Sequence, residues 1–155
     1  MAGVQNSPIK LVIFDVSGTL EDAAGHLYPG VHALLINLLE RGVGLALATN
    51  LGRGGVARFL QRHELATTFT CAKCADDAPF KPSPEMVNLI LLETGISPTE
   101  AIMVGDTTAD MQMGHHAGMR VCAACWGEGE ELLLVQAHPQ YIARQPVDVM
   151  QVVQD

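Results

Sequence analysis

Short apolar runs alternate with longer amphipathic segments along most of this chain. Residues 9–14 (IKLVIF) form a nearly continuous apolar run, the pattern of a strand buried on both faces. Pro29 suits the first turn of a helix running to about Arg41, and Gly42 stands where that helix should end. The pattern then predicts a strand over residues 43–48, a helix over 53–63 and a weak third strand over 67–72. A helix over 84–94, closed by Gly95, leads to an apolar strand at 101–104 and a helix at 108–117 ended by Gly118. Residues 120–124 predict a further strand, 128–136 a helix, 141–143 a short strand, and the tail a last helical turn or two.

Strands separated by single helices imply a parallel sheet with helices on both faces, a three-layer α/β/α arrangement. Ligands of such sheets bind beyond the carboxyl ends of the strands. Chemistry-bearing residues stand at those places. Asp15 follows the first strand, Thr49 and Asn50 the second, and Asp106 the fourth, with Lys81 a few residues beyond the third.

The 155 residues suit one domain, 1–155, with residues 1–8 as a flexible tail. A net charge of −8 without any basic block argues against nucleic-acid or anionic-membrane partners. An anionic ligand therefore needs local positive charge, from a metal or a few placed cations. Residues 1–8 lack a signal-peptide pattern, and no apolar stretch reaches the roughly 18 residues of a membrane span. A cytoplasmic location with four reduced cysteines follows.

Asp15, Asp106 and Asp110 gathered at one sheet edge would repel one another unless a cation sat among them. An all-oxygen ligand set suits Mg²⁺. Lys81 adds a second positive charge, and Thr49 with the backbone near Asn50 offers hydrogen bonds to an anion. A cation, a lysine, a hydroxyl donor and a free carboxylate together describe a phosphoryl-transfer site.

The segments FDVSGTL (14–20), ALATN (46–50), FKPSPEM (80–86) and VGDTTAD (104–110) resemble, in order and spacing, the four motifs of the haloacid dehalogenase superfamily. The likeness is to its phosphoglycolate-phosphatase-like branch and spans about residues 9–126. It implies a Rossmann-like sheet of order 5-4-1-2-3. It also implies Asp15 as the nucleophile that becomes an aspartyl phosphate, and Mg²⁺ held by Asp15, Asp106 and the Ser17 carbonyl, with Asp110 supporting. Thr49 would bind phosphoryl oxygens and Lys81 would neutralise nucleophile and phosphate.

The chain departs from that family pattern twice. Ser17 stands where the phosphatases carry the Asp that protonates the leaving group and later activates water. A serine hydroxyl does neither well, and general acid–base help is worth roughly 10²–10⁴ in rate. Hydrolysis is then slow, dependent on good leaving groups, or assisted by Glu21, Asp22 or His26; alternatively, turnover is lost and a phosphate- and Mg²⁺-binding module remains. Secondly, only residues 21–28 occupy the place of the branch's helical cap, so the site should be open. Its substrate is a phosphorylated small molecule or something larger, and a homo-oligomer is a candidate cover.

Other residues invite sharper readings than they support. Cys71-x-x-Cys74 and Cys122-x-x-Cys125 have zinc-like spacing. Their strands are expected at opposite edges, however, and residues i and i+3 of a strand face opposite ways. Packed thiols are expected. His115 and His116 are expected to serve a helix dipole or face solvent, and Met111, Met113 and Met119 to fill the core. Gly52–Gly55 offers a phosphate cradle or a plain turn, with Arg53 as a secondary substrate contact. Trp126 is expected to be structural.

Overall fold

Residues 7–154 are described in a computed structural model; most of the expected tail, residues 1–6, lies outside the described residues. Six parallel strands form one sheet: β1 (Leu11–Phe14), β2 (Gly44–Ala48), β3 (Cys71–Lys73), β4 (Ala101–Gly105), β5 (Arg120–Ala124) and β6 (Tyr141–Ala143). Their order is β3-β2-β1-β4-β5-β6. The expected five-strand order is present, and β6 extends it beside β5. Strand β5 is therefore not an edge, as the cysteine argument had supposed.

The helices are α1 (Val31–Glu40), α2 (Arg53–Arg62), α3 (Glu85–Thr94), α4 (Thr108–His116), α5 (Glu131–Val135) and α6 (Val149–Gln154). Alternation along the strands sends side chains to two separate cores. Val12, Phe14, Leu45 and Leu47 pack beneath α1, α2 and α6; Leu11, Ile13, Ala46 and Ala48 pack beneath α3, α4 and α5. Helix α1 shows why such a sequence is helical here. Val31, Leu34, Leu35 and Leu38 recur at the i, i+3, i+4, i+7 spacing, and all four are buried. Each contributes about 1.5–3 kcal/mol relative to exposure.

Three elements differ from the sequence reading. Strand β3 starts later than expected because residues 67–70 turn instead, with Thr68 N–H donating to the Leu65 carbonyl and Thr70 N–H to that of Leu45. Helix α5 begins at Glu131 rather than 128, because the preceding residues press against neighbouring loops. A Cβ at Gly127 would lie 2.6 Å from the Gly18 carbonyl oxygen, and one at Gly129 would lie 2.3 Å from that of Ala124. His115 is half-buried, its Nε2 3.1 Å from the carbonyl oxygens of both Ala137 and His138, so it ties α4 to the loop after α5; His116 is exposed as expected.

The four cysteines are unpaired thiols. Cys74 and Cys122 belong to one core, while Cys71 and Cys125 pack with the other, so the sheet separates the members of each pair. Met111, Met113 and Met119 are buried core residues. No helix among the described residues is long and apolar enough to cross a membrane.

Gly114 lets α4 lie close on the sheet: a Cβ there would stand 2.3 Å from Val121 Cγ1 and 3.2 Å from Met103 Cβ. Gly114→Ala should therefore destabilise the chain by about 1–3 kcal/mol through overpacking. Urea unfolding checks this, and a neutral or stabilising result would contradict the close approach.

Candidate active site

Strands β1 and β4 are neighbours with Phe14 paired to Val104. The residues that follow them, Asp15 and Asp106, therefore emerge side by side where the connections diverge, the usual ligand crevice of an open α/β sheet. The Asp15 N–H donates to the Val104 carbonyl at 3.0 Å, extending the sheet to the carboxylate itself. Asp15, Asp106 and Asp110 present oxygens within 4.8 Å of one another, and all three residues are buried.

Lys81 joins this group from the loop after β3. Its Nζ lies 2.7 Å from Asp15 Oδ1 and 2.7 Å from Asp110 Oδ1. The first contact is an aligned hydrogen bond. The second is an ion pair off the hydrogen-bond axis, which leaves Asp110 Oδ1 buried without an aligned donor. Asp110 Oδ2, by contrast, accepts from Asp106 N–H, Thr107 N–H and the Thr107 hydroxyl. The Asp110 N–H donates back to Thr107 Oγ1, completing a capping box at the start of α4. One motif thus starts the helix and fixes a carboxylate beneath the site.

Two supporting residues escaped the sequence reading. Thr19 is fully buried, and its hydroxyl lies 3.1 Å from Asp106 Oδ1 and 3.4 Å from Asp15 Oδ2, bridging the two carboxylates. Trp126 Nε1–H donates to the Thr19 carbonyl at 2.7 Å, which gives Trp126 its structural role. The available signal was a Thr two residues beyond Ser17 in an apolar stretch, but nothing in the sequence orients its hydroxyl. Gly18 has φ +84°, and a Cβ there would lie 2.1 Å from Asp106 Oδ2. Only glycine fits both the backbone and the space.

Thr49 is buried, and its Oγ1 accepts from the Leu51 N–H at 3.1 Å, leaving the hydroxyl proton available to an anion. Asp15, Ser17, Thr49, Asn50, Lys81 and Asp110 line one cavity of about 290 Å³. Ser17 is exposed at its rim. Asn50, expected to contact substrate through the backbone near it, lines this cavity, and its side chain accepts from the Lys81 N–H at 3.1 Å and holds the lysine's loop. Arg53 is not brought to this cavity. Its backbone N–H donates to Asp76 and its guanidinium pairs with Asp77 at 3.2 Å, so a carboxylate sits at the start of α2 in the position considered for phosphate. Two of the candidate proton donors are engaged: Glu21 pairs with Arg62 and His63, and Asp22 accepts from the Ala24 and His26 N–H groups; the third, His26, is exposed with its Nδ1 3.7 Å from Asp22 Oδ2.

Burial pushes the Asp15 carboxyl up to about 6, against the pull of Lys81 and with a further push from Asp106. Asp110 and Asp106 are raised by burial as well. Burial would lower Lys81, but Asp110 and Asp15 together hold it above the usual value. Three carboxylates facing one ammonium leave two negative charges in excess. The convergent oxygens fit a divalent cation, which these residues are equipped to hold.

An acid whose folded pKa is raised binds its proton more tightly when folded, so its stabilising protonation is lost as pH rises from about 4 through about 6. A divalent ion competes with that proton. Millimolar Mg²⁺ or Mn²⁺ should therefore raise Tm more at pH 7 than at pH 5, and the difference should shrink in Asp106→Asn. An equal shift at both pH values would contradict a site built on these carboxylates.

Residues 5–124 match the family model of the haloacid dehalogenase-like hydrolases. The chain is 32% identical over 129 residues to a phosphoglycolate phosphatase from Vibrio vulnificus, covering 83% of this chain and 57% of that one. It is 28% identical over 129 residues to a pyrophosphatase from Oceanobacillus iheyensis, covering 83% of this chain and 60% of that one. It thus spans less than two thirds of these relatives' length. A haloacid dehalogenase-like family hydrolase from Streptococcus pneumoniae shares the fold with a TM-score of 0.81 at 20% identity, covering 93% of this chain and 98% of that one. With its four motifs meeting at one strand edge, the chain belongs to the haloacid dehalogenase-like hydrolase family.

Proposed function

We infer that this chain hydrolyses phosphate esters with Mg²⁺, through an aspartyl phosphate on Asp15. The observation that carries the reading is the placement of Asp15: a buried carboxylate, 6% exposed, paired with Lys81 and facing a cavity that Thr49 also lines. The relatives named as a phosphoglycolate phosphatase and a pyrophosphatase support phosphate chemistry. The four thiols suit a cytoplasmic setting.

Each residue has a task. Lys81 keeps Asp15 anionic against the burial that favours its neutral form, and so preserves the nucleophile. The Thr49 hydroxyl donates to a phosphoryl oxygen. Asn50 holds the backbone of Lys81, and Thr19 spaces Asp15 from Asp106. Asp15, Asp106 and the Ser17 carbonyl would hold the ion, with Asp110 behind them. When bound, Mg²⁺ would neutralise charge on the phosphate and among the carboxylates.

Ser17 supplies neither a proton to the departing oxygen nor a base for the water that clears the phosphoenzyme. Glu21 and Asp22 are committed to other partners, so turnover should be slow and sensitive to the leaving group. The competing reading, a phosphate- and Mg²⁺-binding module without turnover, draws on the same substitution.

Acetyl phosphate leaves easily and separates the two readings. Mg²⁺-dependent hydrolysis that EDTA stops and Asp15→Asn reduces at least about 10³-fold is the expected result. Folded protein that binds Mg²⁺ but never turns acetyl phosphate over would establish the module. Ser17→Asp should raise kcat by about 10–100-fold, within the usual reach of general acid–base catalysis. An unchanged rate in a folded variant would mean that another group already moves the proton.

A further inference from the structure

The substrate class follows from what surrounds the phosphate position, given the phosphatase reading above. Positive charge is scarce there. Lys10, Arg53, Arg62, Lys73 and Arg144 are each paired with a carboxylate away from the cavity, at Glu100, Asp77, Glu21, Glu93 and Glu131 respectively. Arg120 is buried and donates to the Ser7 and Thr99 carbonyls. Among the described residues, Lys81 is the only Lys or Arg that lines the cavity holding Asp15. It already faces two carboxylates.

The adjoining space is acidic. Ser17 also borders a second cavity of about 430 Å³, lined by Glu21, Asp22, Asp106 and Glu128. A second anionic group on the substrate would meet no cation besides Lys81 in the lining of either cavity and would face the Asp22 and Glu128 carboxylates, an arrangement that disfavours binding. Apolar surface, in contrast, is available. Leu51 lines the Asp15 cavity.

The missing acid points the same way. An oxygen that departs unprotonated must be a stable anion. A phenol, with a pKa of about 10, qualifies far better than an alkyl alcohol, whose pKa lies near the ~15.7 of water.

We propose that the site selects aryl phosphate monoesters whose leaving group is uncharged or cationic, with Leu51 contacting the arene. An Asp15 carboxylate oxygen forms a bond to phosphorus as the bond from phosphorus to the aryl oxygen breaks. The electron pair departs on the phenolate, which takes a proton from bulk water. Water then attacks phosphorus, the Asp15 carboxylate leaves, and the water's proton passes to solvent as inorganic phosphate is released.

The test compares kcat/KM, with Mg²⁺, for phenyl, 4-carboxyphenyl and cyclohexyl phosphate, using acetyl phosphate to establish turnover. Phenyl phosphate should exceed cyclohexyl phosphate by about 10²-fold or more, the scale of the missing acid. It should exceed 4-carboxyphenyl phosphate by about tenfold, although the carboxyl-bearing phenol is no poorer a leaving group. Leu51→Ala should raise KM for phenyl phosphate by about 3–10-fold. Cyclohexyl or 4-carboxyphenyl phosphate matching phenyl phosphate would overturn the proposal, as would an unchanged KM in Leu51→Ala. Absence of acetyl phosphate turnover would instead overturn the phosphatase reading on which it rests.

Discussion

A single ammonium group holds this site together. Lys81 reaches between Asp15 and Asp110 in a pocket where all three side chains are almost fully buried. Carboxylates so placed repel each other, and burial favours their neutral forms. Removing one partner from a buried ion pair generally costs about 3–5 kcal/mol, because the other is left uncompensated. The lysine therefore sets the charge state of Asp15, the proposed nucleophile. Its compensation is also incomplete: two excess negative charges remain for a divalent ion to meet.

The surrounding structure serves that balance. Adjacency of β1 and β4 sets Asp15 beside Asp106. The capping box of α4 orients Asp110 and leaves one of its oxygens for the lysine. Asn50 carries the loop of Lys81, and Trp126 anchors the carbonyl of Thr19, whose hydroxyl stands between two of the carboxylates. In the proposed reading, the binding and nucleophilic parts are in place and Ser17 stands at the proton carrier's position, so phosphoryl capture is kept while proton transfer is left to the substrate and solvent. A rim with apolar surface and few cations fits that division.

How much of this was legible in the sequence depends on the range of the forces involved. Buried strands announce themselves as apolar runs, so β1, β2, β4 and β5 were readable, as was the placing of Asp15, Thr49, Lys81 and Asp106 at strand ends; the strand order came from the resemblance of the four motifs to a known family. What was not legible depends on partners distant in the chain. Thr19 acts through Asp106, 87 residues away. Arg53 looked free in sequence, but Asp77 draws it off. Asn50 was read for the backbone near it, and nothing in the sequence shows that its side chain supports a loop 31 residues on. Helix α5 was overextended because helical pattern cannot register that Gly127 and Gly129 are pressed against the carbonyls of Gly18 and Ala124. The position of β6 beside β5 likewise depends on a pairing that a three-residue run does not specify.

The central claim is that Asp15 takes the phosphoryl group. Its most direct test is acid quench of the protein during turnover of acetyl phosphate with Mg²⁺, followed by peptide mapping of the phosphorylated residue by mass spectrometry. Slow clearance without a base at position 17 should let the intermediate accumulate, so the account predicts a phosphoryl group on Asp15, absent in EDTA. Turnover with no phosphorylated Asp15 peptide, or with the label on another residue, would contradict it.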